Sequence, residues 1–118
     1  MKLCSVYIPG MWNLDDALAV LRPLGPELLE AGWALGLTGS VLIDGQSDKD
    51  LDVIVYPLNS TEVSKSKLVA ALEAQGWKRR SSVSATHRTW RNMGSEDCKQ
   101  VEVWRAADGR RIDVFVLS

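Results

Sequence analysis

Residues 38–55, TGSVLIDGQSDKDLDVIV, decide how this chain folds. Asp50 and Asp52 flank a single leucine, the Gly39-Ser40 pair stands ahead of them, and a β-branched run, Val53-Ile54-Val55, follows. The run LDVIVYPL from Leu51 reads as a mostly buried strand halted by Pro57. Residues two apart on a strand point the same way. Asp50 and Asp52 therefore project from one face, while Leu51 and Val53 enter the opposite layer. Two neighbouring carboxylates repel, and that repulsion costs stability unless a cation or a proton sits between them. Hard oxygen ligands of this kind suit Mg²⁺ or Mn²⁺, above all where substrate phosphates complete an octahedron. The Gly-Ser pair fits the same chemistry. Glycine lets backbone approach a ligand closely, and backbone N–H groups with a serine hydroxyl can hold a phosphate at the end of the first strand.

Upstream, WALGL (33–37) is a brief apolar strand closing on Thr38-Gly39-Ser40, and a polar loop leads from there to the next strand. Asn13 is a good N-cap, with Asp15 and Asp16 in the first turn, where the helix dipole favours carboxylates. The helix LDDALAVL follows, and Pro23 and Pro26 predict a break near Arg22 or a second short helix starting about Pro26, ended by Gly32. Residues 3–8, LCSVYI, read as a short edge strand stopped by Pro9-Gly10.

Downstream, Ser60 or Thr61 can cap a helix over EVSKSKLVAALEAQ, with Val63, Leu68, Val69 and Leu72 as its apolar stripe and Gly76 as its stop. Residues 78–99 mix basic groups, hydroxyls and Trp90, and read as a ragged strand with a loop. At the end, QVEVWRA and RRIDVFVL bracket Ala107-Asp108-Gly109, which predicts a hairpin. The order strand, helix, strand, hairpin predicts an α/β (α+β) fold: a single mixed sheet with helices packed on one face. Asp113 interrupts the apolar strand RIDVFVL and is the third candidate carboxylate, because a charged group mid-strand is seldom accidental. The plainer alternative makes it an exposed residue of an edge strand, paired with Arg110 or Arg111.

At 118 residues and 46% hydrophobic, the chain suffices for one domain, 1–118, and is too short for two. A formal net charge of −1 suggests neither a nucleic-acid coat nor an acidic tail. The distribution is uneven, with residues 1–59 acidic and residues 60–118 basic, as an acidic face meeting a basic one would be. Cys4 and Cys98 lack a CxxC or a nearby histidine pair, which indicates reduced thiols in a cytoplasmic protein rather than zinc or a disulfide framework. The opening MKLCSVYIPG falls short of a secretory signal and of a membrane span.

Asp48, Asp50 and Asp52 match the first three ligand positions of an EF-hand, but Val53 replaces its glycine and Asn59 its final glutamate. His87, the only histidine, has no partner at motif spacing and reads as an ordinary loop or surface residue. From Trp77 to Arg91 two tryptophans alternate with basic residues; they can stack a base and hold phosphates, or simply pack. An oligomerising domain built on the five tryptophans is a further alternative from a different class.

Gly39-Ser40, Ser47, Asp50-Leu51-Asp52-Val53 and the later Asp113 together resemble the core of the DNA polymerase β-type nucleotidyltransferase superfamily, especially its small stand-alone, antitoxin-like members. The resemblance runs from about residue 14 to the end. It implies that Asp50 and Asp52 hold two Mg²⁺ (or Mn²⁺) ions and that Asp113 completes the catalytic metal's shell and helps deprotonate the acceptor. It also implies that Gly39 and Ser40, with Ser47, bind the nucleotide. The activity implied is transfer of a nucleoside monophosphate from an NTP, ATP first, to a hydroxyl of a protein, RNA or small-molecule acceptor, with pyrophosphate leaving. Many members place Arg or Lys a few residues after Gly-Ser, where this chain has Val41-Leu42-Ile43-Asp44-Gly45. That departure motivates a second expectation, a catalytically inactive binding module of the same fold. An alternative register would use Asp48 and Asp50 in place of Asp50 and Asp52.

Overall fold

A computed structural model of the chain describes residues 11–58, 64–84 and 100–117. The strand expected over 3–8, both cysteines, the caps Ser60 and Thr61, Val63, His87 and Trp90 lie outside the described residues. Among those described, the order is β1 (Trp12–Asn13), α1 (Leu14–Glu30), β2 (Trp33–Thr38), α2 (Gly39–Asp44), β3 (Gln46–Ser47), β4 (Leu51–Pro57), α3 (Lys65–Ala74), β5 (Lys78–Ser84), β6 (Gln100–Arg105) and β7 (Arg111–Val116).

The main sheet runs β2-β4-β7-β6-β5, and β1 pairs with β3 in a small ribbon beside it. β4 and β7 are parallel and the remaining neighbours antiparallel, so the sheet is mixed, as expected. Alternation sorts its residues. Leu51, Val53 and Val55 of β4 and Ile112, Val114 and Val116 of β7 are buried in one core with Ala17, Leu21, Leu24 and Leu28 of α1 and Leu68, Ala71 and Leu72 of α3. Both long helices therefore cover the same face. The alternate residues, Asp52 and Ile54 of β4 with Asp113 and Phe115 of β7, point to the other face.

α1 begins as the sequence predicts, with the Asn13 side chain accepting from the Asp16 N–H at 2.7 Å. It does not break. Pro23 and Pro26 lie inside one continuous helix, a correction to the expected interruption near Arg22. The carbonyls left without donors, those of Ala19 and Arg22, belong to exposed residues open to solvent, while the buried stripe Ala17, Leu21, Leu24, Leu28 runs unbroken past both prolines. Packing of that stripe outweighs the lost bonds.

Two other expectations are corrected. The segment after Gly39-Ser40 is a short helix, α2, rather than a polar loop; it buries Val41 and ends at Gly45 in the left-handed conformation. The cap of α3 is Ser64, whose side chain accepts from the Lys67 N–H, so the described helix starts later than Ser60 or Thr61 would set it. The C-terminal hairpin forms as predicted, with Gly109 at φ 93° in its turn.

On the helix-covered face, Glu102 of β6 is fully buried beside Trp104. The Trp104 Nε1–H donates to its Oε1 at 3.0 Å. Lys65 Nζ at 2.9 Å and Arg79 Nη1 at 3.5 Å reach Oε2. Both oxygens of this deeply buried carboxylate are thus met, Oε1 by the indole N–H and Oε2 by two cationic groups. The ion pair also anchors the first residue of α3 to the sheet.

Candidate metal and nucleotide site

The site is built where β4 and β7 run side by side. Their parallel register sets Asp52 directly beside Asp113, and Asp50 enters from the residue that precedes β4. One oxygen from each of the three carboxylates lies within 4.8 Å of the others. β7 is an internal strand and Asp113 is only 5% exposed, which overturns the edge-strand alternative.

The pairing in that alternative does occur. Arg111, two residues earlier on the same face, donates from Nε to Asp113 Oδ1 at 2.8 Å and from Nη2 to Oδ2 at 3.3 Å, and its Nε stands 4.0 Å from Asp50 Oδ2. Arg110 is engaged elsewhere. It pairs with Asp108 at 2.7 Å and Asp16 at 2.9 Å and lies over the Trp12 ring, tying the hairpin turn to the start of α1.

Three carboxylates and one guanidinium leave two negative charges in excess, and the protonation equilibria reflect it. Burial, then the charge of Asp50 and that of Asp113, push Asp52 up to about 7, with Arg111 pulling back. Asp50 is also raised, by burial first, then by the charge of Asp113 and a hydrogen bond with it, against Arg111 and Lys49. A proton or a cation is needed to settle the cluster.

The donor set fits a hard divalent ion. All three ligands are carboxylate oxygens, and oxygens sharing Mg²⁺ at roughly 2.1 Å stand at most about 4.2 Å apart. The cluster is within a small side-chain rotation of that arrangement. Each oxygen that accepts from Arg111 keeps a second lone pair for a metal.

Gly39 and Ser40 open α2 directly above this cluster. Gly39 has φ +75°, and a Cβ placed there would overlap the Asp52 carboxylate, with Asp52 Cβ and Cγ at 2.9 Å. The glycine therefore makes room for Asp52, a role its position in the sequence did not reveal. Ser40, Ser47 and Asp50 line one open cleft of about 560 Å³ together with Gln46 and Lys49. The Ser47 hydroxyl accepts from the N–H groups of Lys49 and Asp50, both at 3.3 Å, and so shapes the turn that delivers Asp50. Asp50 joins the two groups, since it belongs both to the carboxylate cluster that Gly39 abuts and to the cleft that Ser40 and Ser47 line. Asp48 lines the cleft but is not part of the carboxylate cluster, so the pair that converges is Asp50 and Asp52. Arg111 was weighed only as a surface partner; its i, i+2 spacing from Asp113 on a strand was the signal that it shares the site.

No protein-family model matches the chain, and no curated protein matches it. Solved structures do. A cytoplasmic RNA terminal U-transferase superposes with a TM-score of 0.58 at 13% identity, over 87% of this chain and 28% of that one. Leishmania infantum polymerase beta, in its ternary P/T complex, superposes with a TM-score of 0.56 at 14% identity, over 93% of this chain and 44% of that one. The same polymerase in its ternary gap complex gives 0.56 and 14%, over 93% and 39%. The chain spans less than half the length of each of these structures. Its mixed sheet, with the two long helices on one face, is similar in fold to this transferase and this polymerase.

Proposed function

We propose that this chain is a metal-dependent nucleotidyltransferase that moves a nucleoside monophosphate from an NTP, ATP first, to a hydroxyl of a protein or RNA acceptor. The observation that carries the reading is the convergence of Asp50, Asp52 and Asp113 within 4.8 Å on the sheet face opposite the helices. Asp50, Asp52 and Asp113 would hold the divalent ion, Mg²⁺ or Mn²⁺. When bound, it supplies charge neutralisation at the transferred phosphate and its entering and leaving oxygens. Gly39, Ser40 and Ser47 border the space for the nucleotide. Asp113, oriented by the two-point grip of Arg111, takes the acceptor hydroxyl's proton as its oxygen bonds to the α-phosphorus and the bond to pyrophosphate breaks.

The second reading, a module of this fold that binds without catalysis, is favoured by one observation. Leu42 and Ile43 are 56% and 78% exposed on α2, in the segment where many members carry a base. Incubation with each α-³²P-labelled NTP, Mg²⁺ and a cell lysate decides between them, with Asp113→Ala as the control. Label on a macromolecule with the unaltered chain alone supports transfer. Nucleotide binding without label on any acceptor supports the inactive module.

A further inference from the structure

We propose that Lys49 is the cation that grips the triphosphate of the substrate, replacing the base that follows Gly-Ser in many members of the superfamily and so setting the preference for an NTP over a monophosphate. The inference rests on the nucleotide reading above and deepens it. A triphosphate carries more negative charge than a single divalent ion offsets, and a cationic side chain meets part of the remainder. α2 supplies none, since Val41 is buried and Leu42, Ile43 and Asp44 follow it. Among the described residues lining the cleft next to the carboxylates, Lys49 alone is cationic.

Its placement is built rather than casual. The Lys49 backbone N–H donates to the Ser47 hydroxyl, the same oxygen that accepts from the Asp50 N–H, so one turn sets the lysine's backbone beside Asp50. Its charge reaches Asp50, yet among the described residues no carboxylate lies within 4.0 Å of its ammonium, although Asp48 and Asp50 adjoin it in sequence. Among the described residues, the neighbouring arginines are committed: Arg111 to Asp113, and Arg110 to Asp108 and Asp16. Lys49 is, among the described residues, the charge left for a ligand.

The test is calorimetric titration of the full chain with α,β-methylene-ATP in Mn²⁺, with AMP in Mn²⁺, and with Mn²⁺ alone, for the unaltered protein, Lys49→Met and Lys49→Arg. A charge-assisted phosphate contact predicts a loss of roughly 10- to 100-fold in triphosphate affinity for Lys49→Met, with AMP and Mn²⁺ affinities held within about threefold. Lys49→Arg restores most of the loss. The side chain is exposed, so the variants fold, and the unchanged Mn²⁺ titration verifies the site. Equal triphosphate affinity in Lys49→Met and the unaltered chain overturns the role of Lys49 and leaves the nucleotide reading standing. Mn²⁺ binding with no triphosphate binding by the unaltered chain overturns the nucleotide reading, and this inference with it.

Discussion

Glu102 and Asp113 sit on adjacent strands of one sheet, a single register position apart and on opposite faces, and they have opposite electrostatic settings. Glu102 faces the helices, is fully buried, and is met by Trp104, Lys65 and Arg79. Asp113 faces away and shares one arginine with two further carboxylates. The first arrangement is saturated and holds elements together. The second is short of positive charge, which is what a protein keeps where a cation or a charged substrate is to arrive. Burial alone does not separate structural acids from functional ones; the count of compensating donors does.

The sharpest way to break this comparison is to neutralise one acid on each side. Asp52→Asn removes a charged ligand and should weaken Mn²⁺ binding by about 100-fold or more, given that even outer partners of metal ligands contribute 10- to 100-fold. Without metal, its melting temperature should not fall, because one of three mutually repelling carboxylates is gone. A large drop in that temperature would make the cluster structural. Glu102→Ala should do the reverse: a loss of about 2 kcal/mol in denaturant unfolding, with Mn²⁺ affinity unchanged. The figure stays below that for a stranded buried ion because Lys65 and Arg79, 39% and 43% exposed, can turn to water.

The two regions were unequally legible in the sequence. Asp50 and Asp52 stood out because period-two alternation places them together without any tertiary knowledge. Asp113 was visible as a charge in an apolar strand, but its seat beside Asp52 depends on β4 and β7 pairing in parallel, a long-range choice that local pattern does not encode. Glu102 was passed over inside QVEVWRA, where a carboxylate at an inward position next to Trp104 was the available sign. The prolines of α1 misled because their cost depends on which face their orphaned carbonyls meet, and α2 was missed because four mixed residues after Gly-Ser carry no usable period.

A milder probe of the under-compensated cluster is pH. Asp52 titrates near 7 in the folded chain and at 3.8 as its reference, so between about pH 4 and pH 7 the folded state holds a proton the unfolded state has released. Stability from this group is therefore full below about pH 4 and is lost as pH rises through 7. For a half-buried carboxylate, screening by solvent reduces the effect to about 1–2 kcal/mol. Metal-free unfolding in urea at pH 5 and pH 8, for the unaltered chain and for Asp52→Asn, reads it directly. The pH dependence assigned to Asp52 should vanish in the variant; an undiminished one would place the titration elsewhere.

The smallest expected effect concerns the arginine paired with the cluster. Arg111 lowers the proton affinity of Asp50 and Asp52 and holds both oxygens of Asp113. Arg111→Gln removes that charge and raises the excess from two negative charges to three. Its guanidinium is partly exposed, so the attraction it cancels at the metal position is screened. Two consequences oppose each other: greater negative charge draws a cation more strongly, while Asp113, freed from its two-point grip, loses orientation and gives back part of that gain. The net expectation is Mn²⁺ binding tighter by about two- to threefold, with metal-free stability lower by under about 1 kcal/mol. Calorimetric Mn²⁺ titration checks the first and urea unfolding the second. Weaker Mn²⁺ binding in this variant would mean that orientation outweighs charge at Asp113, moving Arg111 from counter-ion to positioning residue.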